Sequence, residues 1–217
     1  MPQRGLFIVL EGGEGVGKTT QAALLGEWLR YAGVPFVATR EPGGTPVGEA
    51  IREVVLGRAD LDMPAETELL LILAARAAFV RDVVRPALEA GKVVLADRFA
   101  LSTLAYQGYG RGIDLDAVRW GIDFATGGLR PDLYVVLDLP VSEGAARQRK
   151  AGSDPDRIER EGDGFRDRVR AGYLALAESE PGVASVDAAG SPEEVHERLR
   201  HVLRSRFPET FPDSGVS

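Results

Sequence analysis

The chain has 217 residues, of which 27% are charged and 44% hydrophobic, with a net charge of −7 and no cysteine. That length suits one well-buried domain and is short for two. The negative charge argues against broad nucleic-acid or anionic-membrane binding, and the missing cysteines exclude disulfides, zinc-thiolate sites and a catalytic thiol.

The first apolar run covers residues 6–10 and meets Glu11 at once. It is too short for a signal peptide or a membrane span, so the chain is expected to be cytoplasmic. Four more short apolar runs follow at 35–39, 93–96, 133–139 and 183–186. They lack polar alternation, as strands buried on both faces of a parallel sheet do. Helical patterns lie between them, which predicts an α/β fold with a five-stranded parallel sheet and helices on both faces.

The helices carry their own punctuation. The first opens after Gly17 and is expected to pack Ala23, Leu24, Trp28 and Leu29 before Gly33. A second starts near Pro64, with Leu69, Leu70, Leu73, Ala74 and Val80 as its apolar face and Pro86 as a kink or break. A later helix covers about 164–180, and a last one begins at Ser191, where Ser191 and Glu194 make a capping-box pattern. Residues 154–163 are polar and read as a mobile surface segment, part of a lid at about 148–163. One domain is expected over 1–206, with a frayed tail at 207–217.

Chemistry first shows at Gly12-Gly13-Glu14-Gly15-Val16-Gly17-Lys18-Thr19, followed by Thr20. This matches the eight-residue P-loop pattern, and it follows a predicted strand and opens a predicted helix. Glycines let several backbone N–H groups converge on one phosphate, and the helix N-terminus adds partial positive charge. Lys18 can reach the β- and γ-phosphates of a nucleoside triphosphate, and the Thr19 hydroxyl can ligate Mg²⁺. The loop implies a nucleotide without choosing the reaction.

Other residues stand at informative places. Arg40-Glu41-Pro42-Gly43-Gly44-Thr45 follows the second strand, at the sheet edge where ligands bind, although Pro-Gly-Gly is also turn chemistry. Arg76 lies in an apolar helix face and needs either a ligand or a structural carboxylate. Asp97 ends the third strand, where a P-loop enzyme keeps its Mg²⁺-associated acid and where an aspartate also caps helices. Glu14 must point away from the phosphates it sits among. Both histidines, His196 and His201, fall in the last helix, away from every motif.

These motifs, with Ala74-Ala75-Arg76, Asp97-Arg98-Phe99, Ala105-Tyr106-Gln107-Gly108, Pro131-Asp132-Leu133 and Asp156-Arg157-Ile158-Glu159, stand in an order that resembles bacterial thymidylate kinase from about residue 7 to 202. The resemblance implies the P-loop nucleoside monophosphate kinase fold, ATP and dTMP as substrates, Mg²⁺ as cofactor and a homodimer. It implies that Arg98 bridges donor and acceptor phosphates, that Pro42 and Arg52 lie at the monophosphate, and that Arg76, Ser102, Thr103 and Gln107 belong to the dTMP site. Tyr106 would pack beneath the deoxyribose, and Glu14 would bond its 3′-hydroxyl and help Thr19 and Asp97 hold the metal. Ile72 replaces a stacking aromatic found in many members. The P-loop also lacks an arginine that some members carry, so the resemblance assigns the catalytic arginine to the lid. Arg149 and Arg157 are the two candidates.

Overall fold

The computed structural model describes residues 4–152 and 156–211. Five parallel strands, β1 (Phe7–Glu11), β2 (Phe36–Arg40), β3 (Val93–Asp97), β4 (Leu133–Asp138) and β5 (Val183–Asp187), form one sheet in the order β2-β3-β1-β4-β5. The chain reverses direction across the sheet between β1 and its two neighbours, which opens a crevice at the strands' carboxyl ends.

Burial on both faces explains the unbroken apolar runs. Phe7 and Val9 of β1 point into one core with Val94, Ala96, Tyr134 and Val136. Ile8 and Leu10 point into the other with Leu95, Val135 and Leu137. The second core is covered by α1 (Lys18–Tyr31) and α9 (Pro192–Arg206). The first lies under the opposite helices, introduced here in chain order. They are α2 (Pro46–Arg52), α3 (Ala65–Phe79), α4 (Arg85–Glu89), α5 (Ala100–Thr103), α6 (Leu115–Thr126) and, after α7 (Val141–Ala151), which packs against the next helix and adds no residue to either core, α8 (Asp163–Ser179).

Several expectations about faces need correction. In α1 the buried positions are Lys18, Gln21, Leu25, Gly26, Trp28 and Leu29, and Ala23 faces outward. In α3, Leu69 and Leu73 are buried but Leu70 is 66% exposed and Ala74 is also exposed. The helix is apolar nearly all round, so periodicity could not separate core from surface. Pro86 interrupts a regular helix without ending it, since α3, a π-helical turn and α4 follow one another with no gap. It sits in the first turn of α4, after a wide π-helical turn at Val80–Val84 that lets the chain accommodate its missing N–H.

The expected cap at α9 is present in both directions: Ser191 Oγ accepts from the Glu194 N–H at 3.2 Å, and Glu194 Oε2 accepts from the Ser191 N–H at 2.8 Å. The tail expected to fray from residue 207 is instead packed as far as Phe211, whose ring stacks on Trp28 at 5.3 Å. Residues 212–217 lie outside the described residues. The segment expected to be a mobile surface is a compact turn at 156–161 with Ile158 only 9% exposed, and residues 153–155 lie outside the described residues.

Candidate active site

The loop between β1 and α1 turns on Gly12, Gly15 and Gly17, all at positive φ. At Gly15 there is no room for a side chain: a Cβ would lie 2.1 Å from the carbonyl oxygen of Gly144 in α7, and a Cβ on Gly144 would lie 2.4 Å from the Glu14 carbonyl oxygen. Lys18 folds back over the loop, and its Nζ donates to the carbonyls of Gly12 at 3.1 Å and Gly13 at 2.6 Å. Burial pulls the Lys18 ammonium below its usual range, reinforced by Arg98 and opposed by Glu14. The Thr19 hydroxyl donates to Asp97 Oδ2 at 3.0 Å, so two hard oxygen ligands, from the start of α1 and the end of β3, stand together.

Arg98 is the hub of the site. Its backbone is left-handed, at φ 75°, the one non-glycine residue of that kind among the described residues. A bulky side chain held there is strained, and strain of this kind persists where surrounding contacts fix it. Nη1 donates to Gly12 O at 3.1 Å, Ser102 Oγ at 3.2 Å and Tyr173 Oη at 3.2 Å. Nη2 donates to the Glu14 carboxylate and to Tyr106 Oη at 3.1 Å. Tyr106 in turn donates to Glu14 at 2.7 Å. Burial alone would raise the Glu14 carboxyl, but Arg98, Lys18 and the Tyr106 hydrogen bond outweigh it and hold that group at about 2. Glu14 therefore faces Arg98 and Tyr106 as a carboxylate.

Behind Arg98 stands a residue that the sequence marked only as the end of the first apolar run. Glu11 is fully buried and accepts from the N–H groups of Phe99 at 2.8 Å and Ser102 at 3.2 Å, from Ser102 Oγ at 2.6 Å and from Tyr173 Oη at 3.0 Å. Burial raises its pKa against those bonds. Glu11 thus anchors the entry to α5, the short helix that carries Ser102 and Thr103. Tyr173 arrives from α8, 162 residues away in sequence, and nothing in its local pattern pointed here.

The other half of the site is walled by α3 and by Ser102, Thr103, Tyr106 and Gln107. Arg76 is 1% exposed, and each of its nitrogens has a partner: Nε donates to Glu41 Oε2 at 2.8 Å, Nη1 to Thr103 Oγ1 at 2.7 Å and Nη2 to Phe99 O at 3.0 Å. The structural carboxylate weighed against a ligand for Arg76 is therefore Glu41. Burial pushes the Glu41 carboxyl up to about 7, with Arg76 acting against it. Arg52 Nη1 donates to Pro42 O at 3.0 Å across a cis Glu41–Pro42 peptide.

A cleft of about 600 Å³ runs between these halves. It is lined by the loop from Glu14 to Thr20, by Pro42, Arg52, Ile72, Arg76, Asp97 and Arg98, and by Ser102, Thr103, Tyr106 and Gln107. Four residues singled out from sequence do not line it. Gly12 and Gly13 supply carbonyls from behind. Arg149 is exposed on α7, and Arg157 is turned away, with Nε donating to Val55 O at 2.7 Å and Nη2 to Glu68. Leu56 and Ile158 join Ile72 as apolar lining, so the missing aromatic leaves an aliphatic surface. At the far end lie Gln21, Arg147, Gly190, Pro192 and Val195.

This arrangement can hold two anions in line and neutralise the charge between them. The family model described as Thymidylate kinase matches residues 10–199 of this chain. A thymidylate kinase of Desulforudis audaxviator (strain MP104C) is 49% identical over 211 residues, 93% of each chain. One from Synechococcus sp. (strain JA-2-3B'a(2-13)) is 52% identical over 204 residues, 94% of this chain and 96% of the relative. A crystal structure of thymidylate kinase from Ehrlichia chaffeensis superimposes with a TM-score of 0.76 at 31% identity, covering 92% of this chain and 99% of that one.

Proposed function

Because the chain belongs to the thymidylate kinase family and transfers the γ-phosphoryl group of ATP to dTMP to give dTDP, we propose how its residues divide that reaction. The donor triphosphate lies on the Gly12–Thr20 loop, where Lys18 exchanges its two carbonyl partners for phosphate oxygens. The acceptor lies against Arg52, Arg76 and Tyr106, with its deoxyribose toward Glu14. Arg98 neutralises both phosphates at the point of transfer. The observation that carries this reading is the reach of one guanidinium from Gly12 of the donor loop to Ser102 and Tyr106 of the acceptor wall.

The acceptor phosphate is already an anion at neutral pH, so no general base is needed. The chemical task is positioning, charge screening and exclusion of water. Thr19 and Asp97 would hold Mg²⁺, and two adjacent oxygen donors suit an ion that keeps most of its other ligands from phosphate and water. When bound, that ion neutralises charge on the β- and γ-phosphates. Glu14, engaged by Arg98 and Tyr106, serves the sugar side in this scheme rather than the metal.

For the lid cation we propose Arg149. Among the described residues its side chain is exposed and unpaired, near the end of α7, whereas Arg157 is committed elsewhere. We also propose a cytoplasmic homodimer. Among the described residues no helix is long and apolar enough to cross a membrane. Trp120 and Phe124 of α6 stack at 5.6 Å while 71% and 79% exposed, and neighbouring α3 presents Leu70. Such aromatic exposure marks an interaction face.

A coupled ADP-release assay on Arg149→Met tests the lid assignment. The expected result is a kcat lower by about 10³ with KM for dTMP unchanged, the signature of a cation that acts only in the transition state. A variant within threefold of the parent kcat refutes it.

A further inference from the structure

Glu68, in the first turns of α3, has 0% exposure and lies outside the cleft. Its carboxylate gathers three donor side chains from two distant parts of the chain. Oε1 accepts from Gln107 Nε2 at 2.9 Å and Arg111 Nε at 3.2 Å. Oε2 accepts from Arg111 Nη2 at 3.1 Å and from Arg157 Nη2. Arg111 also pairs with Glu161, so two arginines and two carboxylates balance one another.

The 156–161 turn is joined to this cluster at two of its residues, Arg157 and Glu161. Its internal bonds are short-range: Asp156 Oδ1 accepts from the N–H groups of Ile158 and Glu159, each at 2.8 Å. It is tied to the body through Arg157, whose N–H bonds Leu56 O at 3.0 Å and whose side chain reaches Val55 O and Glu68, through Arg111 to Glu161, and through Glu159, which accepts from Gln148 Nε2 at 3.0 Å and from Arg166 Nη2. Held there, the turn puts Asp156, Ile158 and Glu159 into the lining of the cleft. Burial holds the Glu159 carboxyl above its usual range, and the nearby Glu14 carboxylate of the donor loop adds to that.

We propose that Glu68 is a positioning residue for phosphoryl transfer, latching the 156–161 turn over the acceptor half of the cleft through Arg157 and Arg111. Arg157 is then an anchor of the turn, not the cation on the transferred phosphoryl group. Two consequences follow from the geometry. Gln107, which lines the acceptor half, takes its orientation from the same carboxylate, so dTMP binding and turn closure are linked. The apolar underside of Ile158 also closes the cleft against water, so a loose turn admits water as a competing acceptor.

This inference rests on the assignment of catalysis to other cations, and its test separates the two. Arg157→Met in the full chain leaves Glu68 paired with Arg111 and Gln107, so the buried acid keeps its partners. The latch predicts a KM for dTMP raised about tenfold or more, a kcat lowered less than tenfold, and ADP formed in excess of dTDP. Arg157→Lys, which restores a cation to Glu68, is expected to recover most of the KM loss. Glu68→Gln is expected to reproduce the Arg157→Met profile, and the double variant to be no worse than the poorer single one, as coupled residues behave. A kcat lowered by about 10³ at unchanged KM makes Arg157 catalytic and overturns the latch, whatever Arg149→Met shows. Arg157→Met with KM, kcat and ADP:dTDP ratio within twofold of the parent overturns it equally.

Discussion

Replacing Glu14 with Gln preserves shape and removes one charge from the centre of the site. Holding a carboxyl at about 2 instead of 4.5 favours its charged form by about 3 kcal/mol. The Glu14 side chain is 22% exposed, so water screens part of that, and about 2 kcal/mol is the expected loss of folding stability at pH 7. The sign follows from the direction of the shift. A depressed carboxyl stabilises the fold fully above the unfolded value of 4.5, and the contribution drains away as pH falls toward 2. Urea unfolding of parent and Glu14→Gln at pH 7 and pH 3 should therefore show a gap of about 2 kcal/mol that narrows to less than half on acidification. A gap under about 0.5 kcal/mol at pH 7, or one that does not shrink with acid, would refute the idea that Arg98 and Lys18 stabilise this carboxylate beyond its burial cost.

Two other outcomes are expected away from the chemistry. Trp120→Glu, which puts a charge on the exposed aromatic stack, should convert a dimer to monomer in analytical ultracentrifugation while leaving the far-ultraviolet circular dichroism unchanged; a dimer that persists rules out that face. Phe211→Ala removes a ring that is 2% exposed against Trp28 and should cost about 3 kcal/mol in urea unfolding, with kcat unchanged, whereas a loss under about 1 kcal/mol would mean the packed tail adds little.

The sheet was legible because parallel strands buried on both faces leave continuous apolar runs, and each expected run overlaps a strand. The phosphate loop was legible because its chemistry is contiguous: eight neighbouring residues do one task. The face of α3 was not, since Leu70 and Leu73 look alike in sequence and only the surroundings separate them. The same limit hid Glu68, an acid in the first turn of a helix that reads as an ordinary solvated residue. Its partner Arg157 lies 89 residues away, and only the folded chain brings the two together. Arg149 and Arg157 could not be separated by pattern for that reason. Of the expected tail only residues 207–211 are described, and their order was hidden by the lack of periodicity, because a buried aromatic at Phe211 holds them without a repeating pattern.

The meeting of Gly15 and Gly144 leaves main chain against main chain, with no side chain between to yield. The glycine-rich loop at 12–19 and the helix that carries Arg147 and Arg149 therefore share a mechanical bearing. A tilt of α7 about that point swings its far end, where the arginines sit, through the larger arc while the loop itself hardly moves. On the proposed lid role of α7, donor phosphates held by the loop would stay seated while the helix moves. A methyl group at either position would prise the two apart, so substitutions at 15 and 144 should appear only in chains whose α7 has been displaced.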